Sequence, residues 1–343
     1  TCSPELCWII TTATLANSRW QWPRFSPRRW VVYRVRAFRS MRQTYPAIRP
    51  TGRWPRFVAV SPDGKRLGVS TSGDRGVSVI DLEGGETVYR QSFIGLNIGH
   101  LHYAADNQVY FPWMVYRRNP ITVGNIRLGW VLASRIGRFH LDRDERREAV
   151  SLDPPGKAIA DPYGIRLTSD ASSMVVSASG TKELLIYDVG SLPFDSVGGP
   201  DHLAPELRGE PSKFDRRELG GRPMGLRMLR DDNTVLVANY LQNSVQVVDV
   251  AGRKVRKTID LGGPEEPSLA RRGEAIFFDA RRSLDQWYSC HSCHQDGGTN
   301  AVAMDTFNDD SARTYKTVLP LYHVTDTAPW TWHGWQTDLR AAM

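Results

Sequence analysis

Five consecutive residues, Cys290-His291-Ser292-Cys293-His294, carry the densest chemistry in the chain. Two thiols three positions apart on one helical turn face the same way, and an imidazole follows directly. That spacing suits thioether bonds from both sulfurs to the two vinyl groups of one porphyrin, with His294 as the proximal iron ligand. It is the attachment pattern of a single covalent c-type haem. Three other chemistries compete. A closed zinc site needs four ligands, usually with a second pair at its own spacing, and His291 and His294 stand too close in sequence to supply one. A thioredoxin-like pair belongs in a βαβ setting, which the surroundings lack. A disulfide needs only an oxidising compartment. Haem is the favoured reading.

The sixth iron ligand decides what such a haem does. A Met thioether raises the reduction potential, a second His lowers it, and an open position admits peroxide or dioxygen. The candidates are Met304, His323, His333 and Met343, with His323 preferred and Met304 next. Arg313 is a candidate for a haem propionate, because a guanidinium meets a carboxylate through two parallel bonds; a surface role fits it equally.

The elements that must position these residues come just before them. Ser268 is suited to cap a helix from Leu269 to about Asp279, with Gly273, Ile276 and Phe277 on its packing face. Phe277, Phe278 and Trp287 would keep water from one edge of a porphyrin. Earlier still, three segments align without a gap over 27 positions: Pro55 to Asp81, Pro162 to Asp188 and Pro223 to Asp249. Each reads strand, polar turn, strand, polar turn, strand. Asp63, Asp170 and Asp231 share one place in the first turn, where a carboxylate can cap backbone N–H groups. Leu67-Gly68-Val69, Met174-Val175-Val176 and Val235-Leu236-Val237 read as central, doubly buried strands. His102 to Phe111 begins a fourth, modified copy, interrupted by an aromatic- and Arg-rich insertion at 112–136.

A repeat of this length built of short strands indicates propeller blades. The fold class expected is therefore mainly β: a partial β-propeller of about four blade-like units over 52–263, followed by a small α-helical cytochrome c-like domain over 264–343. Such propellers usually need roughly six to eight blades to close. The expectation is a piece of a longer protein, or a partner chain that completes the ring.

Composition limits the rest. The net charge is +7, but residues 1–62 hold eleven Arg against one acid, Glu5, so the remainder is mildly acidic and a nucleic-acid partner is not expected. The Arg-rich leader, 1–51, is expected to lie outside the fold. No apolar run is long enough to span a membrane. Export, to the periplasm or beyond, follows only from the haem box.

The segment from Arg271 to Asn300 resembles the first haem domain of bacterial cytochrome c proteins related to di-haem peroxidases, and the blades resemble YVTN-type propellers, to which some bacterial proteins fuse such domains. Arg313 to Arg340 resembles that family's later signature. The resemblance covers roughly 52–343 and is specific at the haem box. It implies an exported haem protein with a redox partner protein, and electron transfer is favoured over catalysis. Relatives of the peroxidase type carry a second Cys-x-x-Cys-His, which this sequence does not contain, so two-haem peroxidase chemistry is not carried over. The alternatives are a peroxidase-like oxidoreductase whose substrate binds the propeller, and a propeller scaffold.

Overall fold

The computed structural model describes residues 30–32, 48–93, 95–104, 107–142, 147–194, 199–307 and 309–342. Most of the Arg-rich leader and Met343 therefore lie outside the described residues; within the leader, Trp30–Val32 and Ile48–Pro50 pair as an antiparallel ribbon.

The three aligned segments become three sheets with strands at identical offsets. In the first, Pro55–Val60, Arg66–Thr71 and Gly76–Asp81 are joined at the edge by Thr87–Ser92. In the third, Pro162–Leu167, Ser173–Ala178 and Glu183–Asp188 are joined by Phe214–Glu218. In the fourth, Pro223–Met228, Thr234–Asn239 and Ser244–Asp249 are joined by Lys254–Asp260. The shared aspartates do what their position predicts. Asp63 accepts from the N–H of Lys65 at 3.0 Å, Asp170 from Ser172 at 2.9 Å, and Asp231 from Asn233 at 3.1 Å and Thr234 at 2.9 Å. These are turn residues.

The second sheet is the modified copy. Its long strands Gln108–Tyr116 and Leu132–His140 pair over nine residues, so the insertion expected at 112–136 narrows to the excursion 117–131, which carries the short helix Val123–Arg127. The reason is that Pro112–Tyr116 and Leu132–Ile136 are buried strand rather than loop.

Adjacent sheets bury apolar side chains between them, the main force holding such an arc. Val77, Val79, Phe111 and Trp113 pack between the first two sheets. Ile136, Val150, Ile165 and Leu185 pack between the second and third, and Val175, Ile186, Val235 and Val248 between the third and fourth. The fold is mainly β, a propeller-like arc. On the fourth sheet's far face Leu236 and Val247 stay half-buried and Ile259 is 40% exposed, so its central strand is not doubly buried as expected.

No clear helical cytochrome c-like domain stands out among the described residues. After Gly263 the helices are Leu269–Phe277, Cys290–Cys293 and Leu339–Ala342, with the rest in short 3₁₀ turns and extended chain. The physical reason is where the apolar side chains go. Trp287 enters the cluster between the first two sheets, and Val302 and Met304 join Leu96, Met114, Tyr116 and Leu132. The segment shares the arc's core instead of building its own. Ser268 does cap its helix, accepting from Arg271 N–H at 3.2 Å. The packing face differs: Gly273 and Ile276 are exposed, while Phe278, 8% exposed, lies inward under the guanidinium of Arg222, 3.4 Å from its ring centre.

Candidate haem site

The chain is anchored on both sides of the Cys-x-x-Cys-His box. Before it, the N–H of Ala280 donates to Gly180 O at 3.0 Å, Lys182 Nζ lies 2.7 Å from Asp279 Oδ2, and Trp287 is 1% exposed. After it, the N–H of Ile121 donates to Asp305 O at 2.9 Å and the hydroxyl of Tyr315 to Arg118 O at 2.8 Å. The excursion 117–131 thus lies against the C-terminal segment.

Ser289 is the N-cap of the single turn Cys290–Cys293, and its N–H donates to Ser292 Oγ at 3.0 Å. The turn and the residues just after it are held by side chains in or next to strands of three sheets. Asn97 Nδ2 donates to the carbonyl of Ser292 at 2.8 Å, and Arg56 Nη1 meets Asp296 Oδ2 at 2.5 Å. Ser289 and Ser292 both donate to Asp161, at 2.5 and 2.6 Å. His291, 4% exposed, accepts the N–H of Asp296 at Nδ1 (3.0 Å) and packs on Phe278, which makes it a satisfied core histidine.

His294 is held differently. Its Nδ1 lies 2.8 Å from the carbonyl oxygen of Leu319. A carbonyl only accepts, so Nδ1 carries the proton and Nε2 keeps its lone pair. Metal-ligating histidines are commonly fixed in this way, through the nitrogen that does not face the metal. Burial holds the ring below its ordinary range, opposed by the carbonyls of Leu319 and Gly298, so it is neutral at neutral pH.

Both cysteines are free thiols, Cys290 exposed and Cys293 partly covered. Burial first, then Asp161 and Cys290, pushes the Cys293 thiol up to about 12. Burial also raises Cys290. Neither is an activated thiolate of the redox-motif kind. Among the described residues no group of three or more His, Cys, Asp or Glu stands together to hold a metal ion. Two free thiols at this spacing and a neutral, oriented imidazole fit haem attachment.

The other sequence candidates are not all brought together. Met304 Sδ lies 3.7 Å from Cys293 Sγ and is 3% exposed within an apolar cluster, a packing position. His323 has an 85% exposed side chain, 3.8 Å from Asp326. His333 stacks on Trp335, ring centres 4.2 Å apart. Arg313 is exposed, and its backbone N–H, not its guanidinium, binds Asp305.

No family model matches the chain, and no curated protein matches it. Its resemblances are to folds. Hydrazine synthase of Kuenenia stuttgartiensis aligns with a TM-score of 0.50 at 22% identity, over 57% of this chain and 59% of that one. The chain therefore spans less than two thirds of that protein, and the likeness shows the fold alone. A protein of unknown function from Bacteroides caccae (TM-score 0.42, 11% identity, 66% and 67% covered) and dihydro-haem d1 dehydrogenase NirN in complex with DHE (0.37, 15%, 64% and 41%) are more distant and carry no argument.

Sequence reasoning missed Asp161, Asn97, Arg56 and the carbonyl of Leu319. The serines flanking the first and second cysteines were the visible half of that network. Its other half lies in the blades, where no local pattern marks it.

Proposed function

We propose that this chain is an exported c-type haem protein that transfers electrons to or from a redox partner protein. Cys290 and Cys293 bind one haem covalently, His294 ligates its iron, and the propeller-like arc carries the box. When bound, the haem supplies a one-electron couple. The observation that carries this reading is the contact between His294 Nδ1 and Leu319 O, which puts the ring proton on Nδ1 and the lone pair on Nε2, next to two free thiols. Exposed apolar side chains on the segment that supplies this carbonyl add support: Leu319, Tyr322, Trp332 and Trp335 are 38 to 63% exposed. Apolar surface of this kind marks a place for a ligand or partner. The c-type attachment, the cytochrome-like character and the periplasmic setting all rest on the box.

A second reading, a peroxidase-like oxidoreductase, has one observation in its favour. Met304 is spent in packing and His323 turns to solvent, so neither preferred sixth ligand is held in place. The half-buried apolar face of the fourth sheet also suits a further sheet, from a longer form of this protein or from a partner chain.

The deciding experiment is expression in a bacterial host with a cytochrome c maturation system. Intact mass and the reduced pyridine spectrum are then measured. One covalent haem per chain is expected, and a mass equal to the polypeptide alone would overturn the reading. Peroxide sensitivity of the oxidised spectrum separates the second reading from the first.

A further inference from the structure

We propose that Asp161 is the positioning residue of the haem box: a carboxylate of the propeller-like arc that clamps the Cys-x-x-Cys-His turn through both of its flanking serines. The inference rests on the haem reading for its purpose, but its geometry stands without it.

Asp161 sits just before Pro162, where the third sheet begins, and is 5% exposed. Its Oδ2 accepts a hydrogen bond from the hydroxyl of Ser289 and its Oδ1 one from that of Ser292, 128 and 131 residues away. Among the described residues no ion pair holds this carboxylate. A buried carboxylate needs partners, and hydrogen bonds to a charged acceptor are among the stronger ones. The two hydroxyls supply them. Because Ser289 and Ser292 bracket Cys290 and Ser292 directly precedes Cys293, fixing both serines fixes the course of the turn that carries both thiols.

The carboxylate is itself held rigidly. Its backbone carbonyl accepts from Ser179 twice, through N–H and through Oγ, each at 3.0 Å. Its φ is +50°, a conformation that side-chain-bearing residues adopt only where the surroundings impose it. Gly180 leaves room for it, since a Cβ there would stand 2.7 Å from Asp161 Oδ2. Gly180 also accepts from Ala280 at 3.0 Å, so the same short loop grips the approach to the box. Asn97 closes the third side through the carbonyl of Ser292. The box is thus shaped by the arc in advance of any ligand. Separated from the arc, a four-residue turn would have little reason to persist.

The test uses the full chain without haem, labelled under native conditions with a bulky thiol reagent, with each cysteine followed by peptide mass. In the native chain Cys290 labels readily and Cys293 is protected. Beyond burial, Asp161 raises both thiols, so Asp161→Ala is expected to speed labelling of Cys290 modestly and of Cys293 by about ten- to a hundredfold, the excess reporting its exposure. Asp161→Asn, which keeps one acceptor oxygen of the same shape, should recover part of the protection. If Asp161→Ala fails to fold, the paired change Ser289→Ala with Ser292→Ala removes the same two bonds from the other side, and must give the same selective exposure. Equal protection of Cys293 in the native chain and these variants would overturn the proposal, as would free labelling of Cys293 in the native chain. In haem-loaded protein, loss of the Asp161 charge in Asp161→Asn is expected to raise the reduction potential; an unchanged potential would count against a positioning role. A native chain that protects Cys293 but never acquires haem would sink the functional reading and leave the clamp intact.

Discussion

His294 Nδ1 and Leu319 O stand 2.8 Å apart across 25 residues of chain, and this contact joins the box to the strand-poor segment that follows. It fixes the tautomer and orientation of the imidazole that closes the box. In His294→Gln the thiols remain but that donor is lost. The expected result is haem retained covalently in reduced yield, with a changed ligand-field spectrum. A spectrum identical to the native one would show that His294 is not the ligand.

The two cysteines differ in surroundings, so serine replacements should differ in cost. Cys290 is exposed, and Cys290→Ser should change the stability of the unloaded chain by less than about 0.5 kcal/mol. Cys293 packs with Met304 and its apolar neighbours, and a hydroxyl there finds no evident partner. Cys293→Ser should therefore cost about 1–3 kcal/mol, measured by urea unfolding. Each change should also remove one thioether bond, read as a change in the porphyrin released by acid and organic solvent.

How much of this was open to inspection in the sequence depends on distance along the chain. The blades were legible because each is a local repeat. Alternation places the strands, and each turn aspartate binds N–H groups only two or three residues on, as Asp231 does with Asn233 and Thr234. The cap at Ser268 was legible for the same reason. The helix face was not: Ile276 is 53% exposed while Phe278 is buried, because the surface it meets is Arg222, just before the fourth sheet. Trp287, Val302 and Met304 read equally well as the core of a separate domain. Only the folded chain shows them spent on the arc, just as only the folded chain joins Asp161 to Ser289.

Trp287 tests that sharing of core directly. It is 1% exposed, and its ring comes so close to Gly129 that a Cβ there would stand 2.8 Å from it. Trp287→Ala should cost about 3–5 kcal/mol in overall stability. The loss should appear in one cooperative transition reported both by blade signals and by the C-terminal segment. Two separate transitions, with only the second one shifted, would mean that the segment keeps a core of its own.

Acid should weaken the fold before carboxylates as a whole are titrated. Burial first, then nearby Arg166, depresses His100 and His102 from 6.5 to about 3, with Arg56 adding to the effect on His100. Between pH 6.5 and 3 the unfolded chain binds protons at both sites and the native chain does not, so stability is present above 6.5 and falls as pH drops. Each histidine contributes at most about 1.4 kcal/mol per pH unit. Asp153 works the other way. Burial, only partly opposed by Arg135, pushes it from 3.8 up to about 6, so its contribution is full below 3.8 and fades as pH rises through 6. It cancels about one histidine over that span and leaves a net loss on acidification. Urea midpoints at pH 7, 6 and 5 should fall in that order. In His100→Phe, which can still stack on Phe57, the fall should be shallower; an unchanged slope would assign the effect elsewhere.

Met304 and His323 offer opposite expectations at the iron. Met304 is 3% exposed, with its sulfur against that of Cys293, so Met304→Leu keeps volume and apolar character and should cost less than about 1.5 kcal/mol. The spectrum of the haem-loaded protein should be unaltered, because a packing thioether gives nothing to the metal. Loss of a sulfur-to-iron charge-transfer band in Met304→Leu would instead make Met304 the sixth ligand and require Cys293 and Met304 to separate on loading. His323 is free in the other sense: with 85% of its side chain exposed, His323→Ala should leave the unloaded chain within about 0.5 kcal/mol of native. Any change it causes in the loaded spectrum is then a direct report of ligation, uncomplicated by folding. If both variants keep the native spectrum, the iron takes its sixth partner from outside these two residues, and peroxide binding becomes the measurement that separates carrier from enzyme.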